Sequence, residues 1–338
     1  MDYFEEYLLR EGHTVLRVDH PLDSYTGRFS TLTRNGTPIR RWRRAARGLV
    51  GLLWDLWRTV REFGRARIDV AIGANNFDTF SLLVGRALTR RRTPVIYLAA
   101  DFAEQRFSNP VLNGIYMGVE RVAVRHADRI VSNSRRAEAR RLQLGLDPQR
   151  SLIVPNGVRL ARPEFRPKAI DKGHFVFIGS VTKEHGLYEL VKALAPDITN
   201  LAIIGGGEDW DRVVGYCRSR DIPLTLHEAR SHDFVLRFLG DFDGFGLAPY
   251  NRHSRWTYYC SPLKVSEYIS SGLPVITSSV PEIANLIRER QLGIVYDELD
   301  ALELAAAIRR FDAHDFHTKA ERFYNDYNSD RLHAGILN

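Results

Sequence analysis

The sequence predicts an α/β protein made of two doubly wound parallel-sheet units, and three observations carry that prediction. Short apolar runs such as 94–100 (PVIYLAA) and 201–204 (LAII) lack the alternation of a half-exposed strand, so both of their faces must be buried. These runs alternate with helical patterns along nearly all of the 338 residues, the rhythm of a parallel sheet covered by helices on both sides. One stretch, 159–172, breaks the rhythm with two prolines, three arginines and no periodicity, and reads as a linker. Two such units would face a cleft, with ligands outside the carboxyl ends of the strands.

In chain order, 2–11 is an amphipathic helix with Tyr3, Phe4, Tyr7 and Leu8 on one side, closed by Gly12, and 14–19 (TVLRVD) is a strand. A long helical pattern covers 38–64. Strands at 68–72, 94–100, 129–132 and 152–154 alternate with helices at 78–88, 110–126 and 134–144, and Pro155-Asn156-Gly157 stops the last strand. After the linker, strands at 175–178, 201–204, 224–226, 244–247, 274–277 and 293–295 alternate with helices at 186–195, 208–219, 231–239, 262–271, 281–289 and 300–311. The division is 1–158, a linker over 159–172, 173–312, and a last helical pattern over 313–338 built on Phe316, Ala320, Phe323 and Tyr327.

Composition narrows the function classes. With 44% hydrophobic and 11% aromatic residues the chain can fold, which excludes a disordered protein. Its two cysteines, Cys217 and Cys260, cannot make a disulfide framework or a cysteine-rich zinc site, and suit a reducing compartment. No apolar run reaches the roughly 18–20 residues that span a bilayer, and the start has no signal-peptide layout.

The net charge of +7 is unevenly spread: residues 1–170 carry 30 Lys+Arg against 17 Asp+Glu, and 171–338 carry 18 against 24. Ten arginines fall within 34–67, interleaved with Trp42, Trp54 and Trp57. Indole rings beside a basic face suit a helix lying on an anionic membrane surface, and the segment 38–64 is expected to do so. A domain-packing helix with an arginine-rich solvent face satisfies the same pattern. No nucleic-acid motif accompanies the charges, and nucleic acid is not expected as a partner.

The most informative stretch is 259–276 (YCSPLKVSEYISSGLPVI). Ser261-Pro262 opens a helix, whose free N–H groups and partial positive charge suit a phosphate. Lys264 stands in the first turn, and Glu267 follows three residues on along the same face. The pair could hold a diphosphate and a ribose diol; a surface ion pair has the same spacing. Gly179-Ser180 and Gly205-Gly206-Gly207 end strands, where glycine lets backbone approach a ligand closely. Asp101 follows the buried strand 94–100, at a place where a carboxylate could act as general base or simply cap a turn.

The pattern Ser-Pro-x-Lys-x-x-Glu-Tyr-x-x-x-Gly-x-Pro-Val-Ile resembles the donor-binding helix of GT-B glycosyltransferases of the group 1, or family 4, type. Residues 175–207, 241–250 and 95–134 are also similar to stretches of that family. The resemblance implies a GT-B fold, a nucleotide-sugar as donor substrate with no cofactor and no metal, and transfer to an acceptor hydroxyl. Gly179, Ser180, Lys183, His185, Gly206, Tyr250, Ser261, Lys264 and Glu267 are then the expected donor-binding residues and Asp101 the expected catalytic one. The expected donor is a UDP- or GDP-sugar and the expected acceptor a lipid-linked glycan or polysaccharide precursor. The expected location is cytoplasmic, peripheral on the inner face of the plasma membrane, and the last helix should cross back to the N-terminal domain.

The chain departs from the family pattern in three places. Tyr259 stands eight residues before Glu267, where the family carries its first carboxylate, and His185 precedes Gly186 where the family tends to carry lysine, with Lys183 two residues earlier. Met1 opens inside a helix that the family places after a first strand, so a strand and loop of about 20 residues is expected ahead of it. A nucleotide-sugar epimerase, which needs no acceptor, and a non-catalytic partner subunit, suggested by Tyr259, remain as alternatives.

Overall fold

A computed structural model describes residues 2–21, 29–44, 48–99, 102–158, 169–252 and 257–337. The chain divides into two units, Met1–Val154 with His333–Asn338, and Pro155–Leu332.

The first unit holds two sheets. A four-stranded parallel sheet has the order β4 (Ala71–Gly73), β5 (Val95–Ala99), β6 (Arg129–Ser132), β7 (Ser151–Ile153). Neighbouring residues of its strands point to opposite faces. Ile96 and Val131 pack with Phe4 and Leu8 of α1 (Asp2–Arg10) and with Ile336 of α13 (Ser329–Leu337). Val95 and Ala71 pack with Phe63 of α2 (Gly48–Arg65) and Leu83 of α3 (Asn76–Thr89).

The second sheet is antiparallel, in the order β1 (Leu16–Asp19), β2 (Phe29–Arg34), β3 (Thr37–Arg43). It corrects two expectations. The long helix over 38–64 is a strand followed by a helix: Asn35 (φ 52°) and Gly36 (φ 76°) form a tight turn with positive φ at both positions, which pairs β3 with β2. The segment 14–19, expected as a strand of the doubly wound parallel sheet, is instead β1, which pairs antiparallel with β2. No helix among the described residues is long and apolar enough to cross a membrane.

In the second unit six parallel strands have the order β10 (Leu224–His227), β9 (Asn200–Gly206), β8 (His174–Ser180), β11 (Phe245–Ala248), β12 (Val275–Ser278), β13 (Gly293–Tyr296). Counted from β8 this is 3-2-1-4-5-6, the doubly wound nucleotide-binding order, and the reversal lies between β8 and β11. One face buries Phe175, Phe177, Leu201 and Ile203 against α6 (Leu187–Leu194), α7 (Trp210–Ser219) and α11 (Ala301–Arg310). The other buries Val176, Ile178, Ala202 and Ile204 against α8 (His232–Asp241), α9 (Leu263–Ser270) and α12 (Phe316–Tyr327).

At the reversal the sheet is wedged. β8 and β11 pair only at Phe175–Phe245 and Val176–Gly246. Beyond that, the Tyr268 hydroxyl accepts from Ile178 N (2.8 Å) and donates to Leu247 O (3.2 Å), satisfying one group of each strand. The ring lies on Gly246, where a Cβ would fall 2.3 Å from Tyr268 Cγ.

Candidate functional site

The strand ends flanking the wedge gather most of the expected donor residues. Gly179, near the end of β8, has φ 113°, and a Cβ there would lie 3.3 Å from Lys264 Nζ. Gly205, on β9, has φ 148°, and its Cβ would fall 2.0 Å from Gly179 O, so the two strand ends meet backbone to backbone. A Cβ at Gly206 meets nothing within 4 Å, leaving that side open.

Lys264 follows the first residue of α9, next to Pro262 at the cap. The residue keeps part of its surface exposed, yet its Nζ is buried without a hydrogen-bond partner among the described residues. The ammonium lies 4.3 Å from the Phe177 ring centroid and 5.8 Å from that of Tyr250. Aromatic faces attract a cation but replace none of its lost water bonds. Burial accordingly pushes Lys264 down to about 8, against the opposing pull of Cys260 and Glu267. A cation left short of partners at the head of a helix is matched to an incoming anion.

Aromatic and imidazole rings surround it. Tyr250 is buried just past β11, its hydroxyl without a partner and its acidity suppressed by burial. His185 ends a 3-10 turn over Lys183–His185; its Nδ1 lies 2.6 Å from Ser180 O, and its ring meets Tyr250 edge-on at 5.9 Å. Burial, then the Lys264 charge, push His185 down to about 4, so it is neutral at pH 7. With Nδ1 donating to Ser180 O, that neutral ring keeps Nε2 as an acceptor.

Glu267 lies one turn along α9 and is buried, its Oε1 accepting a 2.7 Å hydrogen bond from His232 Nε2. No ion pair joins it to Lys264 among the described residues, so the surface-pair reading of the i,i+3 spacing does not hold.

The remaining expected residues lie apart. Lys183 is exposed on its turn. Ser261 is buried and engaged: its Oγ accepts from Asn156 N (3.2 Å) and its carbonyl from Asn156 Nδ2 (2.7 Å). Asp101 lies outside the described residues. Sequence reasoning missed His232, Phe177 and Tyr268 as parts of the site, and Asn156 as the partner of Ser261. For Phe177 and Tyr268 a partial signal existed, since each lies within a stretch that the sequence already marks, the strand 175–178 and the helix motif 262–271. Nothing in the sequence connects His232 with Glu267, 35 residues away.

Two Rossmann-like units, the second ending its strands in glycines beside a lysine-bearing helix, are the architecture of the GT-B fold. Two family models match accordingly: the glycosyl transferase 4-like domain over residues 4–157, and the C-terminal domain of the glucosyltransferase 3-like family over 219–329. Together the two matches support a group 1 GT-B glycosyltransferase. Among curated proteins none matches it. Solved structures do. The lipopolysaccharide outer core galactosyltransferase WaaB is 16% identical with a TM-score of 0.63, over 85% of this chain and 80% of that one. HepE of Anabaena in complex with UDP is 14% identical with a TM-score of 0.64, over 86% and 83%. Sucrose-phosphate synthase of Thermosynechococcus elongatus is 14% identical with a TM-score of 0.64, over 88% and 82%.

Proposed function

We propose that this glycosyltransferase moves a sugar from a nucleoside diphosphate sugar to an acceptor hydroxyl without a metal ion. The buried, unpartnered Lys264 ammonium at the sheet reversal carries the reading. As the bond between sugar and diphosphate breaks, negative charge grows on the leaving group, and a preformed cation in a water-poor site stabilises that charge. Lys264 would take the phosphate next to the sugar, with Lys183 approaching from the loop and His185 and Tyr250 completing the wall. Backbone at Gly179, Ser180 and Gly206 would let the diphosphate come close, Ser261 would anchor the segment ahead of the helix, and Glu267 would hold the ribose. Asp101 is proposed as the base or positioner of the acceptor.

The donor is proposed as a UDP- or GDP-sugar. UDP and UDP-glucose are bound in the HepE structures, which supports trying UDP-glucose first. The test is thermal stabilisation by nucleoside diphosphates followed by a product assay. A ligand at 100 times its dissociation constant adds about 2.7 kcal/mol. Donor consumption that requires an acceptor supports the reading; conversion of the donor alone would make the enzyme an epimerase.

A lipid-linked acceptor at the inner face of the plasma membrane is proposed from α2. Val50, Leu53 and Trp57 form an exposed apolar stripe at helical spacing. The Arg58 guanidinium lies 4.8 to 5.4 Å from the rings of Trp42, Trp54 and Trp57, and Arg61 lies 5.2 Å from Trp57. Indoles flanked by arginines suit the head-group region. Co-sedimentation with vesicles should require anionic lipid and weaken with salt; equal binding to neutral vesicles would remove the electrostatic part.

A further inference from the structure

We infer that His232 is a positioning residue that turns Glu267 into a reader of the ribose, and so sets a preference for ribonucleotides over deoxyribonucleotides. The inference rests on the donor-site reading above and adds to it a residue from another element.

The geometry is specific. Glu267 is 5% exposed, and among the described residues its carboxylate has one hydrogen-bond partner, His232, whose Nε2 lies 2.7 Å from Oε1. Among the described residues Oε2 has no hydrogen-bond partner. A carboxylate oxygen carries two lone pairs, so Oε2 is free to accept both hydroxyls of a vicinal diol, while Oε1 keeps one site to spare. Without His232 the carboxylate would be a buried charge free to change rotamer, which costs both desolvation and entropy.

His232 is itself held firmly. It is the first residue of α8, capped by Ser231, whose side chain accepts from Phe234 N. The next two turns are pinned by Phe234 and Phe238, each edge-on to His227 at the end of β10. Glu267 from α9 and Asp233 from its own helix both raise its pKa, the Glu267 hydrogen bond first. The 2.7 Å hydrogen bond thus holds imidazole and carboxylate in register, with α8 and α9 each fixed by its own packing.

A diol-reading carboxylate discriminates through what its absence leaves behind. A ribose lacking one hydroxyl would leave a lone pair of Oε2 unmatched on a buried side chain.

The test is calorimetric titration of UDP and GDP, each as the ribo, 2′-deoxy and 3′-deoxy form, into wild type, His232→Ala, His232→Gln, Glu267→Gln and the His232→Ala/Glu267→Gln pair. Wild type should prefer the ribo form about tenfold, the scale of one hydrogen bond to a charged group. His232→Ala should erase most of that preference while deoxy forms bind nearly as before. His232→Gln, whose amide places an N–H near the Nε2 position, should restore it. The double variant should be no worse than Glu267→Gln alone, because both remove the same interaction.

If no nucleoside diphosphate binds wild type, the donor-site reading falls and takes this one with it. If nucleotides bind and Glu267→Gln loses the preference while His232→Ala keeps it, only the role of His232 is overturned. Equal loss of ribo and deoxy binding in His232→Ala also overturns it. Should His232→Ala fail to fold, His232→Asn, whose shorter amide cannot reach Oε1, takes its place against His232→Gln.

Discussion

Each unit buries a cation, and the two handle it in opposite ways. In the first, Arg141 of α5 (Arg135–Leu144) is fully buried, with Nε on Glu120 Oε1 at 3.0 Å and Nη1 on Ser132 Oγ at 3.1 Å. Glu120, on α4 (Pro110–His126), also accepts from the Tyr97 hydroxyl at 2.7 Å. In the second unit, Lys264 Nζ is buried with no such partner. A satisfied buried charge ties α4, α5 and the sheet together and leaves nothing over for a ligand. An unsatisfied one is a standing cost that a ligand can relieve. The contrast separates architecture from site.

The contrast is sharpest, and most easily broken, by removing each cation. Arg141→Met strands the Glu120 carboxylate and should lower stability by about 3–5 kcal/mol in urea unfolding. Lys264→Met removes a charge that had no partner, so its melting temperature should hold or rise while turnover falls about 10²–10³-fold. Equal destabilisation by the two substitutions would erase the distinction. Glu267→Ala comes next: nucleoside diphosphate affinity should drop by about 1.5–3 kcal/mol in calorimetry, with the circular dichroism spectrum unchanged.

The smallest effect is a pair of opposed pH trends. Lys264 titrates near 8 in the empty protein and near its ordinary 10.5 when unfolded. Between those values the unfolded chain binds the extra proton, so the contribution of Lys264 to stability rises with pH. Nucleotide binding needs the charged form, so affinity is full below about 8 and falls above it, by up to about tenfold per pH unit. Both slopes should vanish in Lys264→Met. Parallel slopes would mean that some other group titrates.

The legible parts of the fold were those where local pattern and tertiary role coincide. The α4 boundaries, 110–126, follow from Pro110 at the start and the packed apolar face, and 129–132 reads as a strand because both its faces are buried. The region 29–43 misled because arginines and tryptophans at near-helical spacing outweighed a shorter signal: Asn35-Gly36 between the alternating Ser30-Thr31-Leu32-Thr33 and the run after Thr37 is a hairpin turn. In the site, Lys264 and Glu267 were visible because one short helix carries both. His232 was not, since only the packing of α8 against α9 brings the imidazole to the carboxylate. The depressed basicity of Lys264 was equally hidden, because spacing says nothing about desolvation.

Tyr268 has a consequence for how such a crevice can evolve. With its phenol keeping β8 and β11 from zipping together, the width of the slot is inherited from the diameter of one ring seated on one glycine. Donor preference can then drift through the rim residues, while the gauge of the opening stays locked to a two-residue module, Gly246 with Tyr268. Tyr268→Phe keeps that gauge but orphans a donor and an acceptor, whereas any side chain at 246 would have to evict the ring.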